Sequence, residues 1–322
     1  MKIKQKPKII VTRAIPLTVT DVLSEKFSVE LNVTDRPFSK EELKQAFKNS
    51  DGILCTVSDQ ITKDIINSEG RRASIISNYG VGVSNIDISC CEKIGLIVTN
   101  TPNVLTDATA EVALFLILAV SRRTTFLEHK LRQHKWKGFS ITGDLGSSLH
   151  GKTLGIIGMG RIGQSTARKV INSLGMRVVF FNRSPIEQLN FEARQLRSID
   201  EVLKCSDIIS IHAPGGGLEP ILMEKHLQMM KKSAYVINTA RGDVIDQQAL
   251  IRALKNGSIA GAGLDVYLDE PTVPEPLMKL DNVTLLPHIG SATIETREAM
   301  GMLAVNNLKA HFFDKEYPSR VV

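Results

Sequence analysis

The chain is poor in aromatic residues and in cysteine, and it contains no long apolar run. Aromatic residues make up 5% of its 322 residues, with one tryptophan and four cysteines. The cysteines show neither metal-ligand nor C-x-x-C spacing, and Cys90 and Cys91 are adjacent, so we expect a reducing, cytoplasmic setting and no metal site. The longest apolar run, 112–120, is far shorter than a membrane span, and the apolar stretch of the basic N-terminus is too short for a signal peptide. These shortages argue against a disulfide-rich secreted module and against a membrane protein.

Charge of either sign is not strongly depleted, but the balance is positive. The net charge is +6, and the lysines and arginines are scattered along the chain rather than grouped. Scattered charge gives no support to nucleic-acid binding, and an anionic substrate and cofactor explain a positive field equally well. With 43% apolar residues, the length suits one large or two medium globular domains.

The chain does contain a glycine-rich stretch, LGIIGMGRIG, at 154–163. Gly158, Gly160 and Gly163 have the spacing G-x-G-x-x-G, between an apolar strand pattern and a helical pattern that stops at Gly175. In this context the first glycine permits a tight turn, the second lets the backbone approach a pyrophosphate, and the third lets helix and strand pack closely. The free N–H groups of the helix then face the phosphates. The stretch predicts a dinucleotide site, the alternative being a glycine turn without a nucleotide.

The end of the next strand predicts which dinucleotide is bound. NAD-binding units usually place an Asp or Glu there to accept a hydrogen bond from the ribose 2′-hydroxyl, whereas this chain has Asn182, Arg183 and Ser184. These three side chains hydrogen-bond a 2′-phosphate, which a carboxylate would repel. We therefore expect NADP(H) in preference to NAD(H), with NAD(H) as the second choice. The alternative is that Arg183 is only a solvated surface charge and that selectivity is loose.

Residues 1–101 alternate between strand and helix patterns. The strand patterns cover 8–11, 29–33, 52–56, 74–78 and 96–100, and the helical patterns cover 20–27, 39–49, 61–70 and 85–95. Ser39 and Glu42 are spaced as a capping box at the start of the second helix. Such alternation predicts an open parallel sheet with helices on both faces.

A glycine-rich loop, NYGVGVSNID at 78–87, follows one of these strands. Open α/β sheets place ligands at the carboxyl ends of their strands. Gly80 and Gly82 leave the backbone bare here, so the N–H groups of Val81, Gly82 and Val83 are candidates for a nest that binds a small carboxylate. The alternative is an ordinary glycine-rich turn.

The second half of the chain again alternates between strands and helices, after a long, almost wholly apolar helix that Thr106 or Asp107 can cap. Three of its predicted strands end in Arg241, Glu270 and His288. Beside a nicotinamide, an arginine binds the carboxylate of a 2-oxo acid and polarises its carbonyl, and a histidine donates the proton to the developing alkoxide. A glutamate on the far imidazole nitrogen fixes the tautomer and tunes the histidine. The alternative is three unrelated polar residues at strand ends.

Five stretches connect the chain with a known family: NTPNVLTDATAEVA, GKTLGIIGMGRIGQ, INTARGDVIDQQAL, GAGLDVYLDEP and LPHIGSAT. From NYGVG onward the chain closely resembles the D-isomer-specific 2-hydroxyacid dehydrogenases. The resemblance implies Arg241, Glu270 and His288 in the roles just described, and Val81 and Gly82 as a backbone clamp for the substrate carboxylate. It also implies a set of cofactor contacts, from Thr106, Arg161, Ile162, Thr239, Ala240 and Asp265, the last with the nicotinamide amide.

The resemblance implies an α/β fold with two doubly wound parallel sheets. A Rossmann nucleotide-binding domain, 102–290, is inserted in a flavodoxin-like substrate domain made of 1–101 plus 291–322. The amphipathic helical stretch 291–313 is expected to cross back and complete the substrate domain. Members of the family are dimers, so a homodimer is expected.

Within the family, NYGVG, LTDATAE and NRSP look most like the NADPH-preferring glyoxylate and hydroxypyruvate reductases. This implies reduction of glyoxylate or hydroxypyruvate to the D-2-hydroxy acid. The loop PGGGLEPIL departs from the Thr-containing loop of many relatives, and Phe139 stands where some hydroxypyruvate reductases have Trp. Both features also resemble broader-specificity reductases such as 2-ketogluconate reductase. A nucleotide-sensing corepressor is the alternative from another class, but the chain lacks the long appended tails expected of one.

Overall fold

The computed structural model describes residues 5–314 and 316–322. Residues 1–4, which fall in the predicted substrate domain, and residue 315 lie outside this range. The chain forms two compact units: unit 1 combines Met1–Leu105 with Ser291–Val322, and unit 2 is Thr106–Gly290. Unit 1 is thus built from both ends of the chain and unit 2 from its middle.

Unit 1 is a parallel sheet with helices between its strands. Its elements are β1 (Lys8–Val11), α1 (Leu17–Lys26), β2 (Ser28–Leu31), α2 (Lys40–Asn49), β3 (Gly52–Thr56), α3 (Lys63–Ile66), β4 (Ile75–Tyr79), α4 (Ile88–Lys93), β5 (Ile97–Thr99) and, near the C-terminus, α12 (Ile294–Lys309), which passes into a π-helical segment at Ala310–Asp314. The strand order is β2-β1-β3-β4-β5 with every pair parallel. This is the 2-1-3-4-5 order of flavodoxin-like sheets.

The C-terminal segment packs within unit 1. The Ser77 hydroxyl of β4 donates to the Ala304 carbonyl of α12 with an O–O distance of 3.0 Å. Beyond the helix, the chain runs along β5, where the Val321 amide donates to the Val98 carbonyl at 2.8 Å. The last residues of the chain therefore extend the hydrogen bonding of the edge strand.

In unit 1, the start of one helix agrees with the local signal in the sequence, whereas two other helices are shorter than their patterns predict. The predicted capping box is confirmed: the Glu42 amide donates to the Ser39 hydroxyl, and the Ser39 amide donates to the Glu42 carboxylate. The helices α3 and α4 are shorter than the helical patterns 61–70 and 85–95 that predicted them. The first of them stops early because polar turn residues follow it and Gly70 has a φ of +77°.

Unit 2 is a larger parallel sheet with helices on both faces. Its elements are α5 (Thr106–Ser121), α6 (Thr124–Arg132), β6 (Thr153–Ile157), α7 (Arg161–Leu174), β7 (Arg177–Phe181), β8 (Arg194–Gln195), α8 (Ile199–Cys205), β9 (Ile208–Ile211), α9 (Glu224–Met229), β10 (Tyr235–Asn238), a 3₁₀ turn (Gly242–Val244), α10 (Gln247–Lys255), β11 (Gly261–Leu264), α11 (Glu275–Met278) and β12 (Val283–Leu285). The strand order is β12-β11-β10-β9-β6-β7-β8. Counted from β6, this is the Rossmann order 3-2-1-4-5-6 with a seventh strand added. The predicted fold class is confirmed.

The central strands of unit 2 are shielded from solvent. Every residue of β6, β9 and β11 is buried, as expected for parallel strands covered by helices on both faces.

Over the part of the chain that the structure describes, no helix has the length and apolarity needed to cross a membrane.

Helix α5 differs from its prediction in two ways. Thr106 and Asp107 both lie inside its first turn, so neither is the N-cap, and Asp107 instead accepts a hydrogen bond from Ser165 of α7 at 2.6 Å. The helix is mostly buried, but Phe115 and Leu118 remain 51% and 38% exposed. One apolar side of this helix is therefore uncovered within the single chain.

Candidate active site

His288 and Glu270 form a hydrogen-bonded pair in the loops that follow β12 and β11. Nδ1 of His288 lies 2.7 Å from Oε2 of Glu270, and the Tyr267 amide donates to the other carboxylate oxygen at 3.0 Å. The predicted strand that carries Glu270 ends already at Leu264, so the glutamate lies in the following loop. Nε2 of His288 has no hydrogen-bond partner among residues 5–314 and 316–322. With each side chain about one-third exposed, this nitrogen is available to a ligand.

The pKa of the Glu270 carboxyl is set by opposing influences. Burial raises it, but the hydrogen bond and charge of His288, the Tyr267 amide and the charge of Arg241 outweigh burial. The pKa of Glu270 therefore lies below its ordinary value. The carboxylate stays ionised at neutral pH, and Nδ1 of His288 is held as the donor to it.

Arg241 follows β10, whose neighbour in the sheet is β11. Its guanidinium donates one bond, from Nη1 to the Ala240 carbonyl at 2.7 Å, and makes no other within the described chain. Burial is the largest influence on the pKa of Arg241 and lowers it, while the charges of Glu270 and Asp243 oppose this. The remaining donors of a largely buried cation are thus unpaired, which favours binding of a carboxylate.

Asp265 immediately follows β11 and holds the backbone after His288. Its carboxylate accepts hydrogen bonds from the amides of Ile289, at 2.7 Å, and Gly290, at 2.8 Å. Burial raises the pKa of Asp265 above its ordinary value, and these two amides partly offset the effect. His288 itself has a φ of +52°, a conformation that non-glycine residues rarely adopt. Asp265 therefore helps to impose the backbone that presents His288.

The glycine fingerprint forms the turn between β6 and α7. Gly158 has a φ of +96°, and a Cβ there would stand 2.7 Å from the Ala213 amide nitrogen. A Cβ at Gly163 would collide with the Gly158 carbonyl, whereas a Cβ at Gly160 would meet nothing within 4 Å. Two of the glycines are thus required by the fold itself. Gly160 is not, and its bare backbone borders open space.

This turn fits a dinucleotide pyrophosphate. Helix α7 begins at Arg161 with Gly160 as its N-cap, and no side chain caps its first turn. The first amides of a 14-residue helix therefore point out beside the open space at Gly160, where an anion would satisfy them. Arg161 is exposed and Ile162 is half-buried in the same turn.

The end of β7 presents the residues predicted to read the ribose. Arg183 and Ser184 are exposed, and Arg183 forms no ion pair with any residue that the structure describes. The Asn182 side chain instead donates to the Ser184 carbonyl at 3.0 Å. Gln195 of β8, which sequence reasoning missed, donates to the same carbonyl at 3.2 Å. The turn is thus held by the side chains of Asn182 and Gln195, and Arg183 has no ion-pair partner in the described ranges.

Thr106, Thr239 and Ala240 lie in different settings. Thr106 is the first residue of α5 and is half-buried. The Thr239 hydroxyl is buried and has no hydrogen-bond partner among the described residues, so it still has a hydrogen bond to offer. The Ala240 amide already donates to the Asn238 side chain at 3.0 Å.

Asn238 and Asp243 are site residues that sequence reasoning missed. Asn238 holds the turn after β10, since its amide also donates to the Arg241 carbonyl at 2.8 Å. Asp243 accepts a hydrogen bond from the Gly216 amide at 2.5 Å, which ties the glycine loop 215–217 to the Arg241 segment. A Cβ at Gly215 would stand 2.8 Å from Cβ of Arg241. An asparagine at a strand end is a turn signal that sequence alone offers, but the partner of Asp243 is distant in sequence.

In unit 1, the loop 80–83 after β4 is called the clamp loop. Its first three carbonyl groups, those of Gly80, Val81 and Gly82, all accept hydrogen bonds. The Gly80 carbonyl accepts from the Thr101 amide, and the Val81 carbonyl accepts from the Asn100 side chain at 2.9 Å. The Gly82 carbonyl accepts from the Asn78 side chain at 2.9 Å.

In a trans peptide the C=O and the next N–H point in opposite directions, so pairing these three carbonyls turns the amides of Val81, Gly82 and Val83 the other way. None of the three amides has a partner within the described ranges. Three adjacent unpaired donors are what a nest for an anion requires, and the nest itself stays a prediction.

A Rossmann sheet with an uncapped glycine turn, together with an arginine and a histidine–glutamate pair, is typical of the class of nicotinamide-dependent oxidoreductases. The family model for the D-isomer specific 2-hydroxyacid dehydrogenase, NAD binding domain, matches residues 114–290. The chain belongs to the D-isomer specific 2-hydroxyacid dehydrogenase family, as its motifs predict. It is accordingly a dehydrogenase or reductase that uses a nicotinamide cofactor.

Similar proteins are known over nearly the whole chain. A glyoxylate reductase of Thermococcus kodakarensis is 41% identical and one of Pyrococcus furiosus is 42% identical, with 98% of this chain covered in both cases and 96% and 95% of the relatives. The crystal structure of an NADPH-dependent glyoxylate/hydroxypyruvate reductase of Sinorhizobium meliloti, in complex with NADP and malonate, has a TM-score of 0.87 and 33% identity. That match covers 99% of this chain and 97% of the other.

Proposed function

We propose that the protein reduces a small 2-oxo acid, glyoxylate or hydroxypyruvate, to the D-2-hydroxy acid with NADPH. The observation that carries the proposal is the His288–Glu270 pair. It leaves Nε2 of His288 available beyond the carboxyl ends of the strands, on the same side of the sheet as Arg241. The names of the relatives support the substrate class, since two proteins about 40% identical are glyoxylate reductases.

When bound, a reduced nicotinamide cofactor would supply the hydride needed to reduce the carbonyl carbon. Arg241 offers its unpaired donors to the substrate carboxylate and polarises the carbonyl. His288 donates the proton from Nε2 to the oxygen as negative charge develops there. Glu270 holds Nδ1 at 2.7 Å, keeps the imidazole in the required orientation and balances its positive charge before transfer.

The clamp loop is the second contributor to carboxylate binding in this proposal. Val81 and Gly82 present unpaired amides, and their orientation is set by the paired carbonyls behind them. Backbone amides recognise a carboxylate whatever the rest of the acid is. The clamp therefore supports the substrate class, and it leaves the choice between glyoxylate, hydroxypyruvate and a larger acid such as 2-ketogluconate to the assay.

NADPH is the proposed cofactor because the end of β7 carries no carboxylate. Arg183 and Ser184 are exposed and available to a 2′-phosphate, while Asn182 holds their turn in place. The structure of the Sinorhizobium meliloti relative contains NADP, which supports the same choice. The residues proposed to contact the cofactor are the fingerprint glycines together with Thr106, Arg161, Ile162, Asn182, Arg183, Ser184, Thr239, Ala240 and Asp265.

The two compact units suggest a division of labour. We propose unit 2, with the phosphate turn, as the nucleotide-binding domain and unit 1, with the clamp loop, as the substrate domain. All four cysteines are free thiols, which supports a reducing, cytoplasmic setting.

A homodimer is the proposed assembly. The single chain exposes a set of large apolar side chains in unit 2: Phe115, Leu118, Leu131, Trp136, Phe139, Ile141 and Leu145. Exposed apolar side chains of this kind, on α5, at the end of α6 and in the connection that follows, favour association with a second copy.

The deciding experiment follows the absorbance of reduced nicotinamide with purified protein, NADPH or NADH, and a panel of glyoxylate, hydroxypyruvate, pyruvate and 2-ketogluconate. Rapid oxidation of NADPH with glyoxylate or hydroxypyruvate is the expected result. Preference for 2-ketogluconate would keep the mechanism and change the substrate. Tight NADPH binding without turnover of any acid would overturn the proposal in favour of a nucleotide-sensing protein.

A further inference from the structure

Asn100 lies directly after β5 and touches the clamp loop with its side chain. Its Nδ2 donates to the Val81 carbonyl at 2.9 Å. That carbonyl belongs to the same peptide plane as the Gly82 amide, so the bond from Asn100 fixes the direction in which the Gly82 amide points. Asn78 fixes the following plane through the Gly82 carbonyl, and it does so from the adjacent strand end.

Asn100 is itself held by the C-terminal part of the chain. Its carbonyl accepts hydrogen bonds from Nδ2 of Asn307, at 3.1 Å, and from the Ser319 hydroxyl, at 2.5 Å. Asn307 is completely buried on α12, and its Oδ1 accepts from the Ser319 amide at 3.1 Å. The clamp loop is thus hydrogen-bonded to the side chain of Asn100, and the C-terminal part of the chain is hydrogen-bonded to its backbone carbonyl.

We propose that Asn100 is a positioning residue for substrate binding, through which the C-terminal tail sets the orientation of the Gly82 amide. The inference rests on the proposed function only in that the clamp binds the substrate carboxylate. Asn100 has no contact with the reacting atoms in this scheme, and it acts by keeping one clamp donor aimed. Its loss should therefore weaken binding of the acid while leaving dinucleotide binding in unit 2 unchanged.

The first test compares Asn100→Ala and Asn100→Asp with Asn172→Asp, a control at an exposed asparagine of α7 whose side chain has no hydrogen bond to any described residue. Loss of one orienting hydrogen bond is expected to raise KM for glyoxylate about tenfold in both Asn100 variants, with kcat changed much less. The Kd for NADPH, from quenching of protein fluorescence, should stay at the wild-type value. An unchanged KM in Asn100→Ala would overturn the proposal, as would an equal loss of NADPH and glyoxylate affinity together with a large fall in Tm.

The second test addresses the tail. Ser319→Ala removes the hydroxyl bond to the Asn100 carbonyl but keeps the Asn100 side chain, so a smaller rise in KM, about threefold, is expected. Because both changes act through the same bond to Val81, the double variant with Asn100→Ala should be no worse than Asn100→Ala alone. Additive effects of the two substitutions would exclude the coupling.

Calorimetry with oxamate, a non-reactive analogue of a 2-oxo acid, separates this inference from the proposed function. Oxamate binding to the wild type that weakens about tenfold in Asn100→Ala supports the positioning role even if the preferred substrate is another acid. Equal oxamate binding by both proteins overturns the positioning role and leaves the proposed function standing. If the wild type neither binds oxamate nor turns over any acid, the proposed function fails and this inference with it.

Discussion

One ring nitrogen of His288 is hydrogen-bonded to Glu270 and the other has no partner among the described residues, and this division determines the chemistry proposed for His288. Replacing His288 with Ala removes the proton donor but no group of the phosphate turn. We expect kcat to fall by about 10²–10⁴-fold, the contribution of a positioned general acid, while the Kd for NADPH is retained. Steady-state kinetics and fluorescence titration measure the two. His150→Ala, at an exposed histidine outside the site, is the control, and a normal rate in His288→Ala would remove His288 from the mechanism.

Arg183 is the residue on which cofactor choice is proposed to depend. It is exposed at the end of β7 without an ion-pair partner in the described ranges, so its guanidinium is free for a 2′-phosphate. Arg183→Ala should raise KM for NADPH by about tenfold or more and leave KM for NADH nearly constant. Arg177→Ala, at the opposite end of the same strand, is the matched control. Equal losses for the two cofactors would show that Arg183 does not select between them.

At the scale of elements, two of the fingerprint glycines, Gly160 and Gly163, are predicted to respond differently to alanine. An alanine at Gly160 meets no neighbouring atom and so should leave Tm unchanged, but its methyl group enters the space beside the α7 amides and should weaken NADPH at least tenfold. An alanine at Gly163 collides with the Gly158 carbonyl and should lower both Tm and affinity. Thermal melts and titrations of the two variants make the comparison. A large fall in Tm for Gly160→Ala would contradict the structure of this turn.

Asp207 connects the amino ends of two neighbouring strands and carries a pH dependence of stability. It accepts from the Thr153 amide of β6 and from the Lys231 ammonium, both at 2.9 Å. Partial burial raises the pKa of Asp207, but these partners outweigh burial and hold it below the ordinary value. A carboxyl with a lowered folded pKa stabilises the native state above its unfolded pKa, and that contribution is lost as pH falls through the folded pKa.

Asp207→Asn should therefore lower the free energy of unfolding at neutral pH by about 1 kcal/mol, and the difference from wild type should shrink as the pH falls below about 4. Urea denaturation across the acid range measures this. Asp281→Asn, at an exposed aspartate without an ion pair in the described structure, is the control and should follow the wild type throughout. A constant difference at all pH values would mean that the titration of Asp207 is not linked to folding.

At the scale of the whole molecule, the exposed apolar surface of unit 2 predicts a dimer. Light scattering should give twice the chain mass of 35.4 kDa. Charged substitutions at Phe115 and Leu118 together should reduce the mass to that of one chain, because they place charge on the surface expected to be buried. Met278→Glu changes an equally exposed apolar residue outside that surface and should leave the dimer intact. A monomeric wild type at micromolar concentration would contradict the proposed assembly.

Much of the architecture follows from patterns that are local in sequence. Apolar strand runs alternating with helices are enough to predict parallel sheets, and the Ser39–Glu42 capping box is visible as a spacing of three residues. Element ends are harder: the strand with Glu270 is shorter than its apolar run, and Thr106 and Asp107 lie inside the helix they were expected to cap. Such ends depend on packing against other elements, which local propensity does not record.

The sequence by itself determined the fold class, the glycine turn between β6 and α7, the family and the candidates Arg241, Glu270 and His288. Each depends on residue type and spacing within a short window, or on motifs carried by such windows. Only the tertiary structure decided that Asp243 holds the glycine loop, that Asp265 holds the backbone after His288, and that Asn100 joins the C-terminal tail to the clamp. Hydrogen bonds between residues far apart in sequence depend on how the elements pack, so the spacing of residues along the chain does not predict them.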